Sequence, residues 1–147
     1  MRLVAIALAL LGVQAACSAF EPEGDEIEMT ISATPSSSTL GDTVLIRVVG
    51  HNRSSHTVEL LGNGCGNSLV ARVTEPNGRV VRFWGGPAIC PVFDDNILEA
   101  GETDTVSYRW VSRGAGNYLV QGGYLSEGRF HQRTQRLPFR VSPPAIP

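Results

Sequence analysis

The chain has 147 residues with 14 acidic and 12 basic side chains, for a formal net charge of −2. Every basic residue is arginine, which excludes lysine Schiff-base or amine chemistry, and the near-balanced charge leaves no basic footprint for nucleic acid. The length suits one domain with its own core once an N-terminal leader is set aside.

In chain order, Met1 and Arg2 precede an apolar run from Leu3 to Val13. That is signal-peptide length and too short for a bilayer, which needs about 20 apolar residues. Export is therefore expected, with an extracytoplasmic address in the bacterial cell envelope. Ala15-Ala16-Cys17 resembles the lipobox of bacterial lipoproteins, whose cysteine carries the lipid, although Gln14 stands where Leu is usual. Cleavage before Cys17 makes it a lipid anchor. Cleavage after Ala15 instead leaves an unpaired thiol, and cleavage after Ala19 removes Cys17 altogether. The expected organisation is a signal peptide over 1–16, a flexible acidic tether over 17–25, a β-sandwich over 26–142 and a proline-rich tail over 143–147.

Sixteen glycines and nine prolines at 18% charge favour short strands and many turns. Ile27, Met29 and Ile31 alternate with polar residues and predict a first strand ending at Pro35 and the Ser-rich stretch 36–38. Val44, Ile46 and Val48 predict a second strand, 50–55 a turn, and Val58 and Leu60 the strand that returns. Leu69, Ala71 and Val73 then run into Glu75-Pro76-Asn77-Gly78, a hairpin signal whose partner is Arg79 to Trp84. After a loop over 85–96, Ile97-Leu98 and the turn Ala100-Gly101-Glu102 feed Val106, Tyr108 and Trp110. Gly114-Ala115-Gly116 turns the chain into Tyr118 and Val120, and a last strand holds Leu137, Phe139 and Val141. The pattern predicts an all-β, immunoglobulin-like antiparallel sandwich of seven to nine strands. Tyr118 stands where such domains carry a tyrosine whose hydroxyl ties the preceding corner to the backbone; a plain half-buried aromatic is the alternative.

Cys65 and Cys90 lie in Gly- and Pro-rich loops that flank the hairpin at its open end. A disulfide between them is expected, worth roughly 3.5 kcal/mol in the chain-entropy model. With no CxxC and no histidine nearby in sequence, the pair matches neither a zinc knuckle nor a redox motif. The bridge would pin a loop bearing Phe83, Trp84, Phe93, Asp94 and Asp95, the candidate binding surface, with core packing expected for at least one of Phe83 and Trp84. Asp94-Asp95-Asn96 reads better as an exposed acidic turn than as a calcium loop. His51 and His56 flank the turn and face each other as a weak metal pair or as solvated loop residues, and His131 has no evident partner. Arg129, Arg133, Arg136 and Arg140 cluster in sequence, but alternation scatters them over both strand faces. Neither a nucleophile elbow nor a Walker loop nor an HExxH motif is present. A non-catalytic module without cofactor or metal is expected, its partner a protein or a glycan and its contact with the membrane made through the lipid.

The early strand Val44-Leu45-Ile46-Arg47-Val48 with Asn52-Arg53-Ser54-Ser55, the hairpin from Val73 through Pro76-Asn77-Gly78 to Val81, the turn Leu98 to Thr103 leading to Trp110, and Gly114 to Tyr118 come in a telling order. Over roughly 100 residues it resembles the BsuPI-type intracellular proteinase inhibitor family and related immunoglobulin-like modules of bacterial envelope proteins. The resemblance implies the sandwich fold, and proteinase inhibition by an exposed loop as the alternative function. A small hydrolase or metal-dependent enzyme on the same sandwich is the alternative from another class.

Overall fold

The structure, a computed structural model, describes residues 26–60, 69–85, 97–126, 129–131 and 134–145. The strands among them are β1 (Ile27–Thr34), β2 (Ser37–Thr39), β3 (Thr43–Asn52), β4 (Val58–Glu59), β5 (Leu69–Thr74), β6 (Val80–Trp84), β7 (Ile97–Leu98), β8 (Thr103–Val111), β9 (Gly116–Ser126), β10 (Arg129–His131) and β11 (Leu137–Ser142). The smaller sheet has the order β1-β3-β8 and the larger the order β2-β11-β9-β5-β6, with β10 also pairing with β9 and β4 pairing with β7 apart. All pairings are antiparallel except that of β2 with β11.

Period-two alternation decides which face is buried. In β3, Val44, Ile46 and Val48 are fully buried while Leu45 between them is 43% exposed. They meet Ala71, Val73, Val120, Phe139 and Val141 of the larger sheet in one continuous core. At one end Trp110 packs edge-on against both Tyr118 and Phe139, with ring centroids 5.1 and 5.7 Å apart. This is the expected immunoglobulin-like sandwich. Its strand count exceeds seven to nine because β2, β4, β7 and β10 are pieces of two or three residues.

Three readings need correction. The stretch 50–55 is not all turn, because Gly50, His51 and Asn52 continue β3. A Cβ on Gly50 would lie 3.0 Å from Leu69 Cδ2, so the glycine serves close approach of the two sheets within a strand. The returning segment at Val58 pairs with Leu98 and not with β3. The Ser-rich stretch forms β2, whose low intrinsic strand preference is overridden by parallel pairing with β11 and by the Leu40 N–H donating to Ser142 O at 2.9 Å. His131 lies on β10, a strand of its own beside β9.

Asn52 explains why β3 runs on. It is fully buried, and its Nδ2 donates to the carbonyls of His56, Leu98 and Glu99 at 2.8–3.0 Å. Its Oδ1 accepts from Ser54 N–H and Ser54 Oγ at 2.9 and 2.7 Å. One side chain thus ties the chain leaving β3 to the turn entering β8. At the other end Tyr118 donates its hydroxyl to Gly114 O at 2.7 Å, four residues upstream, which makes it the corner tyrosine of the immunoglobulin-like pattern.

Candidate functional site

The connection between β5 and β6 is a tight turn in which Gly78 N–H donates to Glu75 O at 2.9 Å. Gly78 supplies the positive φ of 90°, whereas Asn77 contributes a side-chain acceptor, its Oδ1 taking Arg79 N–H at 2.9 Å. Arg79 Nε donates to Glu75 Oε2 at 2.8 Å and its Nη2 to Oε1. This hydrogen bonding holds the Glu75 carboxyl below its ordinary range and raises Arg79 above its own. Both groups are therefore committed to each other.

Beyond the turn the register slips between Val73 and Thr74, so that Val73 faces Arg82 and Thr74 faces Val80. Val81 is the extra residue of a bulge, and both it and Val80 are exposed. Arg82 lands on the inward side of β6 with Trp84, its guanidinium 5.4 Å from the Trp84 ring centroid. Since the larger sheet extends beyond the smaller on this side, β6 overhangs β8.

A groove of about 890 Å³ follows, walled by the Glu75–Arg82 segment on one side and by Arg109 to Ala115 on the other, with Trp110 and Tyr118 at its floor. Arg79, Arg82, Arg109 and Arg113 line it, against the single carboxylate of Glu75. Among the described residues no carboxylate pairs with Arg82, Arg109 or Arg113. Three guanidiniums without a carboxylate partner among the described residues, beside exposed Val80, Val81 and Val111, make a surface suited to an anionic ligand with some apolar character.

The sequence-predicted residues are placed differently. Phe83 and Trp84 face opposite sides of β6, since Phe83 pairs with Arg72 and Trp84 with the fully buried Ala71. Trp84 stacks on Tyr108 at 5.3 Å and joins the core, fulfilling the packing role expected for one of the two. Phe83, 38% exposed, meets Phe130 edge-on at 6.0 Å on the outer face, where the Arg72 guanidinium lies 4.7 Å over the Phe130 ring. Phe93, Asp94 and Asp95 lie outside the described residues, as do Cys17, Cys65 and Cys90. His51 and His56 do not form a pair: His51 Nδ1 lies 2.9 Å from Thr103 Oγ1, and His56 Nε2 lies 3.1 Å from Glu26 Oε1. Among the described residues no group of three or more His, Cys, Asp or Glu is gathered as a metal site.

The groove arginines escaped the sequence because they come from two segments about 30 residues apart with nothing local to mark them. The one cue was the alternation of β8, which sets Arg109 beside Trp110 at an edge.

No known family model matches the chain, and no curated protein matches it. Among solved structures, the CARDB domain of a Pyrococcus furiosus protein is similar with a TM-score of 0.51 at 15% identity, over 80% of this chain and 94% of that one. The alkylpurine DNA glycosylase AlkC from Pseudomonas fluorescens, bound to DNA containing an abasic site analog, is similar with a TM-score of 0.52 at 13% identity, over 79% of this chain and 30% of that one. At such identities the likeness carries the fold alone. This chain folds as an immunoglobulin-like β-sandwich, as the CARDB domain does.

Proposed function

We propose that the mature chain is an exported, non-catalytic binding module of the bacterial cell envelope, anchored through a lipid on Cys17 and recognising a protein or glycan partner. The apolar run Leu3 to Val13 and the Ala15-Ala16-Cys17 sequence support export and anchoring. The acidic stretch 17–25 would span at most about 30 Å when extended, enough to hold the sandwich clear of a membrane surface.

The observation that carries the binding role is the arginine-lined groove at an open side of the sandwich. Its ionisable groups favour recognition over chemistry, because arginines do not exchange protons near neutral pH and Glu75 is held by Arg79. The test is co-sedimentation of the purified chain with envelope fractions. The triple variant R82E/R109E/R113E should lose retention several-fold with an unchanged unfolding midpoint, and undiminished retention would overturn the reading. Intact-mass measurement of membrane-extracted protein reports the lipid on Cys17 directly.

Proteinase inhibition, which the BsuPI-type resemblance implies, is favoured by one feature: the exposed turn Glu75 to Arg79 is held rigid by its own hydrogen bonds, as an inhibitory loop must be. A panel of serine proteinases titrated with the chain separates the two readings.

A further inference from the structure

Among the described residues, sheet order leaves β8 at the edge of the smaller sheet. Asn52 exchanges backbone hydrogen bonds with the chain just before β8, accepting from Gly101 N–H and donating to Glu102 O. Following the β3–β8 register from there, Asp104, Val106, Tyr108 and Trp110 turn their backbone groups towards β3. Thr105, Ser107, Arg109 and Val111 turn theirs outward, and the Thr105 N–H shows this by donating to the Asp104 carboxylate at 2.6 Å. The outward row is long and regular, running through nine residues without bulge or proline. The bulged β6 offers no such row.

The row is acidic at its start, where Asp104 caps the Thr105 N–H, and basic towards its other end. Arg109 lies on it, Arg113 just past its end, and Arg82 on the overhanging strand across the groove. We propose that the β8 edge and the arginine groove together take an extended acidic polypeptide segment, added as a further strand of the smaller sheet. The proposal rests on the reading of the chain as a binding module and names the class of partner. A row of alternating donors and acceptors at strand spacing matches a peptide backbone, and the guanidiniums, unpaired with any carboxylate among the described residues, select carboxylate side chains along it. A sugar or phosphate polymer would meet the charges but not the row.

The probes are a short poly-L-glutamate peptide, the same peptide built from D-glutamate, and inorganic polyphosphate, each titrated into the purified mature chain and followed by amide NMR. Poly-L-glutamate should bind, and the amides of Ser107 and Arg109 should become protected from hydrogen exchange. R82E and R109E should each weaken binding by roughly two- to fivefold, as exposed ion pairs do. S107P removes one outward N–H and no bond to β3, so it should abolish binding while leaving every arginine in place. If S107P does not fold, amide protection at Ser107 and Arg109 decides the matter. Equal binding of polyphosphate or of the D-peptide, or bound poly-L-glutamate without protection of these amides, would overturn the proposal. If poly-L-glutamate is ignored while R82E/R109E/R113E still loses envelope retention, the acidic peptide is wrong and the binding module stands. If retention too is unchanged, both fall.

Discussion

At the scale of single residues, stability rests on a few polar side chains that the core cannot do without. Asn52 is fully buried and answers five groups, so Asn52→Ala would strand carbonyls of His56, Leu98 and Glu99 away from water. A loss of about 3 kcal/mol is expected in urea unfolding, at the upper end for unsatisfied buried groups. Tyr108 supplies a pH signature. Burial first, and the Asp104 carboxylate second, push its phenol up to about 12 from the ordinary 10, while its hydroxyl donates to Leu69 O at 2.5 Å. The folded state therefore prefers the protonated phenol. Its contribution is complete below pH 10 and is lost as pH rises towards about 12, because the unfolded chain releases the proton first. Urea midpoints measured across that window should fall, and Tyr108→Phe should flatten the fall. The corner role of Tyr118 was legible in its setting between Gly116 and Val120, since the pattern has a geometric cause. The role of Asn52 was not, because an asparagine after Gly50 and His51 carries the same turn signal whether its side chain meets water or three carbonyls.

At the scale of elements, alternation was a sound guide wherever one face is buried. The register of β3 makes a contrast that mutation can check: Ile46→Ala, at a fully buried site, should cost about 2–5 kcal/mol, whereas Leu45→Ala, at 43% exposure, should stay within about 0.5 kcal/mol. Comparable losses at both sites would mean the register is wrong. Pattern failed where pairing rather than periodicity makes the strand. Nothing in Ser37–Thr39 signals β structure, and only the free edge of β11 creates it. The length of β9, eleven residues against the few that Tyr118 and Val120 mark, was likewise hidden by Gly122 and Gly123, which look like a turn in one dimension and lie within the sheet in three. The groove belongs to this class as well, being produced by sheets of unequal width and by the overhanging β6, whose alternation puts Arg82 on the same side as Trp84.

At the scale of the whole molecule, the sandwich was readable because fold class depends on many weak signals that agree. The site was not, since it depends on which edges end up side by side. The two sheets also meet in unlike ways along their length. A Cβ on Gly122 would sit 2.9 Å from Val48 Cγ1, and Gly50 lies similarly close to Leu69, whereas four residues along β3 the space is filled by Trp110 with Tyr118 and Phe139. Random mutagenesis should accordingly meet two opposite barriers in one core. Around Gly50 and Gly122 any gain in volume is rejected, while around Trp110 any loss is, so insertions of bulk and deletions of bulk would map the two ends of the protein as complementary halves.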